Sequence, residues 1–170
     1  IFKMIDIKKI NNLDKSEFLS IFGNVFEKSK WISEKVFNQK PFKNLESFVS
    51  KLIGVYENSD DKTILEILNL HPELAVEEKL THDSETEQNK ANLKECTPEE
   101  FNEFKKLNIE YKKKFNFPFI IAVKGKNKNE ILNYFKERIN NSLNEEFLEA
   151  KNQVKKIAKF RLEEIIKKTN

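Results

Sequence analysis

Residues 97–115 read TPEEFNEFKKLNIEYKKKF, and this stretch decides the fold class. Thr97 can accept at a helix N-terminus, Pro98 has no N–H to waste at the first helical position, and Glu100 can reach back to the cap. Phe101, Phe104, Leu107, Tyr111 and Phe115 then fall on one face of a long helix. The residues that follow break that rhythm. Phe117-Pro118-Phe119-Ile120-Ile121-Ala122-Val123 is an apolar run with β-branched members and no helical period, closed by Gly125. It reads as a buried extended segment whose backbone groups need partners, and it could offer them to a ligand.

Outward from there the helical period dominates. Asp14 and Glu17 have capping-box spacing ahead of Phe18, Ile21 and Phe22, and Gly23 interrupts that helix. Ser29 is placed to cap a helix with Ile32, Val36 and Phe37, which Lys40-Pro41-Phe42 ends. Leu45, Phe48, Val49, Leu52, Ile53 and Tyr56 continue the pattern, and after Ser59-Asp60 so do Ile64, Leu65 and Leu68. Ser84 and Glu87 again have capping-box spacing, predicting a short polar helix toward Leu93. Ile131, Leu132, Phe135 and Ile139 mark another helix. Asn144 reads as the cap of a last long one carrying Phe147, Ala150, Val154, Ile157, Ala158, Arg161 and Ile165. The expected architecture is an all-α, single-domain bundle over residues 1–170, of about eight helices with one buried extended segment at 117–123.

Composition narrows the function classes. The hydrophobic fraction is only 38%, but 15 phenylalanines provide large apolar surfaces, which argues for a folded core. Three glycines and four prolines are too few for a turn-rich sandwich or barrel. The formal charge of +3 comes from 31 basic and 28 acidic residues in close mixture, so neither nucleic acid nor a membrane surface is an expected partner. One cysteine, Cys96, cannot form an internal disulfide and fits a reducing compartment. No apolar run has the length of a membrane span, and Lys168-Thr169-Asn170 is not a peroxisomal tripeptide. The expectation is a soluble cytoplasmic protein.

Chemistry concentrates in residues 69–93, NLHPELAVEEKLTHDSETEQNKANL, which hold both histidines, His71 and His82. Pro72 biases His71 out of the α region and so toward a helix end or turn. His71 is a candidate proton carrier, because histidine titrates near neutrality; it would also suit a helix C-terminus on electrostatic grounds alone. Glu87 is a candidate carboxylate, though the third position of a capping box would explain it equally. Arg161, one of two arginines beside Arg138, interrupts an apolar stripe. It could snorkel, pair with a core carboxylate, or hold a substrate carboxylate in its fork. His82 and Cys96 lack partners at metal-ligand spacing, so no metal site is expected.

Taken in order, several stretches resemble one family. They are Gly23-Asn24-Val25-Phe26-Glu27 with Trp31, Pro41-Phe42, His71-Pro72-Glu73-Leu74-Ala75, Ser84-Glu85-Thr86-Glu87-Gln88, and Leu107-Asn108 with Tyr111. Lys114-Phe115-Asn116-Phe117-Pro118-Phe119-Ile120-Ile121-Ala122-Val123-Lys124-Gly125 follows, then Arg138 with Asn141 and Glu145, Ile157-Ala158 and Arg161-Leu162. The chain resembles the 2-oxo-4-hydroxy-4-carboxy-5-ureidoimidazoline (OHCU) decarboxylases from about Asp14 to Leu162. The resemblance implies an all-α domain that converts OHCU to (S)-allantoin and carbon dioxide in urate breakdown, without a cofactor and as a homodimer. It implies His71 as proton carrier, Glu87 as its acidic companion and Arg161 as a further catalytic residue. Pro72, Ser84, Glu85, Thr86, Glu87, Gln88, Phe119, Ile120, Ile121, Ala122 and Val123 would line the substrate site. Two positions depart from the family pattern: Asn92 stands for the Gly of Ala-Gly-Leu, and Asn116 for the Gly of Phe-Gly-Phe-Pro-Phe. Asparagine tolerates positive φ better than other side chains, which makes Asn116 a workable replacement. The rival readings are an enzyme acting on another small ureide and a non-catalytic helical scaffold of the same shape.

Overall fold

The computed structural model describes residues 5–76 and 80–168; Thr169 and Asn170 of the closing tripeptide lie outside the described residues. Among the described residues there are nine α-helices, one 3-10 turn and no strand. In chain order these are α1 (Ile7–Asn12), α2 (Lys15–Phe22), α3 (Lys30–Phe37), α4 (Leu45–Glu57), α5 (Asp61–Leu70), α6 (His82–Lys90), the 3-10 turn Leu93–Glu95, α7 (Pro98–Phe115), α8 (Lys128–Arg138) and α9 (Leu143–Lys168). The all-α class is as expected, and none of these helices is long and apolar enough to cross a membrane. The chain forms two compact units, one running to Leu70 and resuming at Lys155, the other spanning His71–Val154.

The first unit is built around phenylalanine. Asp14 Oδ1 accepts from the Glu17 N–H at 2.8 Å and Glu17 returns the bond to the Asp14 N–H at 3.0 Å, which starts α2. Phe18 and Phe22 then pack against Phe48 of α4 with ring centroids 5.9 and 4.9 Å apart. All three rings are fully buried, and each such burial stabilises by roughly 1.5–3 kcal/mol. The Asn11 amide bonds both backbone groups of Phe42, at 2.9 and 2.8 Å, tying α1 to the loop after α3. Helix α1 is missed by a reading of periodicity because it is six residues long and buries only Ile10. Ser29 does precede α3 but does not cap it through its side chain: its hydroxyl donates to the Glu27 carbonyl instead.

In the second unit, α7 begins with the expected reciprocal box, Thr97 with Glu100 at 3.2 and 3.0 Å. Tyr111 of α7 is the hub of its aromatic core, touching Phe115, Phe117, Phe119 and Phe135. Phe119 stacks on Phe135 of α8 at 3.9 Å. Residues 117–123 are non-helical and wholly buried, as the apolar run predicts, and Gly125 follows them at φ 75°. Two caps differ from the sequence reading. Thr81, not Ser84, caps α6, so Glu87 lies in mid-helix rather than at a cap. Ser142, not Asn144, opens α9, exchanging bonds with Glu145 at 3.3 and 2.9 Å.

Asn92 and Asn116 both sit in the left-handed region, at φ 60° and 63°. Asn116 is the C-cap of α7, and its N–H donates to the Lys112 carbonyl. Asparagine is therefore serving a conformation that ordinarily favours glycine. Asn116→Val is expected to lower stability by about 1–2 kcal/mol, the strain of a branched side chain at positive φ, while Asn116→Gly stays near wild type. Urea denaturation of the two variants checks this.

Tyr56 and Tyr111 are fully buried, and burial, the largest cause in each, pushes both hydroxyls well above their ordinary value of 10.0. For Tyr111 the adjoining Glu146 adds to the effect. In the unfolded chain these phenols lose protons near their ordinary value; the folded chain keeps them. Stability should therefore fall as pH rises above about 10. Tyrosinate absorbance from these two residues should emerge together with loss of helical circular dichroism. Their ionisation in an intact fold would contradict the packing.

Candidate active site

His71 follows the last residue of α5, and Pro72 prevents the helix from continuing. His71 is only 8% exposed. The loop behind it is clamped by two buried amides. On α6, Gln88 Oε1 accepts from the Ala75 N–H and Nε2 donates to the Glu73 carbonyl, both at 3.2 Å. On α7, Asn108 Nδ2 donates to the Leu74 carbonyl at 3.0 Å. The clamp holds Ala75 at φ 54°, a conformation alanine adopts only under constraint. One donor and one acceptor of Gln88 are thus spent on positioning the His71 loop, a task the sequence does not reveal.

Helix α6 sorts the other candidates by face. Ser84 and Gln88, four apart, are buried together, and Glu87 is half-buried on the same side. Glu85 is engaged elsewhere: Lys94 holds its carboxylate at 2.6 Å, and that bond is the main reason its pKa is lowered. Thr86 is half-buried. With Thr81 as the cap, capping no longer accounts for Glu87, which precedes Gln88 on the helix that clamps the loop.

The non-helical segment 117–123 belongs to the same unit. Arg138 Nη1 donates to the Ile120 carbonyl at 2.7 Å, Gln153 Oε1 accepts from the Ala122 N–H at 2.9 Å, and Lys126 Nζ reaches the Ala122 carbonyl at 3.1 Å. These side chains do the work of a neighbouring strand, so part of the backbone expected to face a ligand is already taken. Among the described residues no protein group meets the Ile121 N–H or C=O. Arg138 is itself held by Glu146, whose carboxylate also accepts from Tyr111 and, at 2.8 Å, from Asn141. The guanidinium lies over the Phe119 ring, 4.4 Å from its centroid. Glu146 and Gln153 give no signal in the sequence, since both occupy ordinary polar positions of a long helix.

Arg161 lies in the other unit. Its guanidinium pairs with Glu27 at 2.9 Å, both side chains buried, and donates to the carbonyl of half-buried Asn24 at 2.9 Å. Of the three readings open for this arginine, the core carboxylate is the one observed.

A helical frame with a clamped, buried histidine beside a polar helix, and a buried non-helical segment in the same unit, defines an all-α domain with the parts of an acid–base site. The chain belongs to the OHCU decarboxylase family, which its residues 11–163 match. It is 40% identical over 164 residues to the uric acid degradation bifunctional protein of Bacillus sp. (strain TB-90), covering 96% of this chain but 33% of that protein. It is 32% identical to the 2-oxo-4-hydroxy-4-carboxy-5-ureidoimidazoline decarboxylase of Halalkalicoccus jeotgali, covering 95% and 92%. The crystal structure of (S)-allantoin synthase superposes with a TM-score of 0.76 at 25% identity, over 95% of this chain and 54% of that one. A crystal structure of OHCU decarboxylase in the presence of (S)-allantoin, 21% identical, shares the fold with a TM-score of 0.68, over 90% and 99%. The chain thus spans about a third of the bifunctional relative and nearly all of the single-function one.

Proposed function

We propose that this protein decarboxylates OHCU to (S)-allantoin and carbon dioxide, with His71 and Glu87 managing the proton. The observation that carries the reading is the Gln88 clamp. It fixes the loop behind a buried histidine to the helix bearing Glu87, inside the span matched to the family. When the carboxylate leaves as carbon dioxide, its bonding electron pair moves into the substrate's own imine and carbonyl system. The protein then needs to orient the ring, stabilise developing charge and return one proton to one face of the carbon. His71 and Glu87 take the proton from the substrate hydroxyl as it becomes a carbonyl and deliver a proton to the ring carbon that received the electron pair. Pro72, Ser84 and the Phe119–Val123 segment form the walls, with the Ile121 backbone amide as a hydrogen-bonding edge. The reading includes a cytoplasmic homodimer acting on a small molecule, with no nucleic acid, membrane or cofactor partner.

Circular dichroism of freshly generated OHCU tests the activity, because uncatalysed decay gives racemic, optically silent allantoin. Rapid growth of the (S)-allantoin signal is the expected result. Silent decay at the uncatalysed rate would refute it.

A further inference from the structure

A cleft of about 780 Å³ opens in the first unit over α3, α4 and the start of α5. That volume is within the range of small-molecule sites. Lys35 and Lys51 both line it. Lys51 Nζ bonds the neutral Gln39 amide oxygen at 3.0 Å, and Lys35 Nζ sits over the Trp31 indole at 4.9 Å. Among the described residues neither ammonium meets a carboxylate, whereas Lys94, Lys128, Lys136 and Lys155 each do. The one carboxylate lining the cleft, Asp60, is occupied in capping α5, accepting from the Thr63 N–H at 2.8 Å. The lining therefore carries two ammonium groups without a carboxylate partner against one carboxylate, a net positive charge.

Gly54 is an independent observation on the same cleft. It lies inside α4, where glycine weakens a helix relative to alanine. A Cβ there would meet only Asn58 Nδ2, at 4.0 Å, so no close approach of the fold demands glycine. What a side chain would do is fill the cleft floor.

We infer that this cleft is a binding site for a small planar anion, an aromatic or heteroaromatic carboxylate. The ammonium groups of Lys35 and Lys51 take the charge, and the flat body lies along Trp31 over the bare backbone of Gly54. The site is independent of the decarboxylase reading, and its failure would leave that reading untouched. Trp31 is the sole tryptophan of the chain, so its fluorescence reports on this cleft alone. Titrating the full chain with benzoate, exciting at the red edge of the indole band, should give a saturable change in emission. Benzylamine, of the same shape and opposite charge, should give none. Lys51→Met should weaken benzoate binding about tenfold, the loss of one charge-assisted contact. Gly54→Leu, a good helix former that fills the floor, should abolish it with the far-ultraviolet dichroism unchanged. A linear, unsaturable quench common to benzoate and benzylamine, or undiminished benzoate binding by folded Gly54→Leu, would overturn the assignment.

Discussion

His71→Ala is expected to reduce formation of (S)-allantoin by about 10²–10⁴-fold, the usual worth of a positioned proton carrier. The fold should survive. The side chain lies at the end of α5, and the loop behind it is held through Glu73, Leu74 and Ala75 by Gln88 and Asn108. Loss of turnover with an unchanged thermal transition would therefore mark a chemical role. Glu87→Gln, which keeps the size and removes the charge, should also lose turnover without losing stability. Wild-type rates from His71→Ala would end the assignment of His71.

Why this site was partly legible in the sequence and partly hidden follows from the range of the interactions involved. Local rules found what local physics builds: the Thr97 box, the buried run 117–123, the break at His71-Pro72, and the tolerance of Asn116 at positive φ. They failed where two local solutions compete. Thr81 and Ser84 are both acceptable caps three residues apart, and the upstream one prevails, placing His82 at the first helical position. Ser142 displaces Asn144 in the same way. The long-range bonds had no local trace. The partner of Arg161 is Glu27, 134 residues earlier, and no periodicity carries such a distance. Gln88 reads as a solvated helix residue until Glu73 and Ala75 are seen on its amide. The catalytic candidates were visible as residue types. The clamp that positions them became visible only in three dimensions.

The larger effect on stability should come from the buried pair that supports the non-helical segment. Arg138 is 7% exposed and Glu146 is fully buried, so removing either charge strands the other where water cannot reach it. Arg138→Met or Glu146→Leu alone should cost about 3–5 kcal/mol, the range for breaking a buried pair from one side. Replacing both with apolar residues should cost much less than the sum, because no uncompensated charge remains. The double variant would still lack the donor to the Ile120 carbonyl and the acceptor for Tyr111. Its segment 119–123 should therefore be folded but less firmly placed. Denaturant midpoints read the first effect, and a split in the kinetics reads the second. If residues 119–123 do form a wall of the substrate site, the double variant should show a raised KM or a lowered kcat at near-native stability. Gln153→Leu, which removes the acceptor for the Ala122 N–H, should move the kinetics in the same direction through a different bond. Native kinetics in both variants would mean that the segment serves the core alone, and the substrate wall would have to be sought elsewhere.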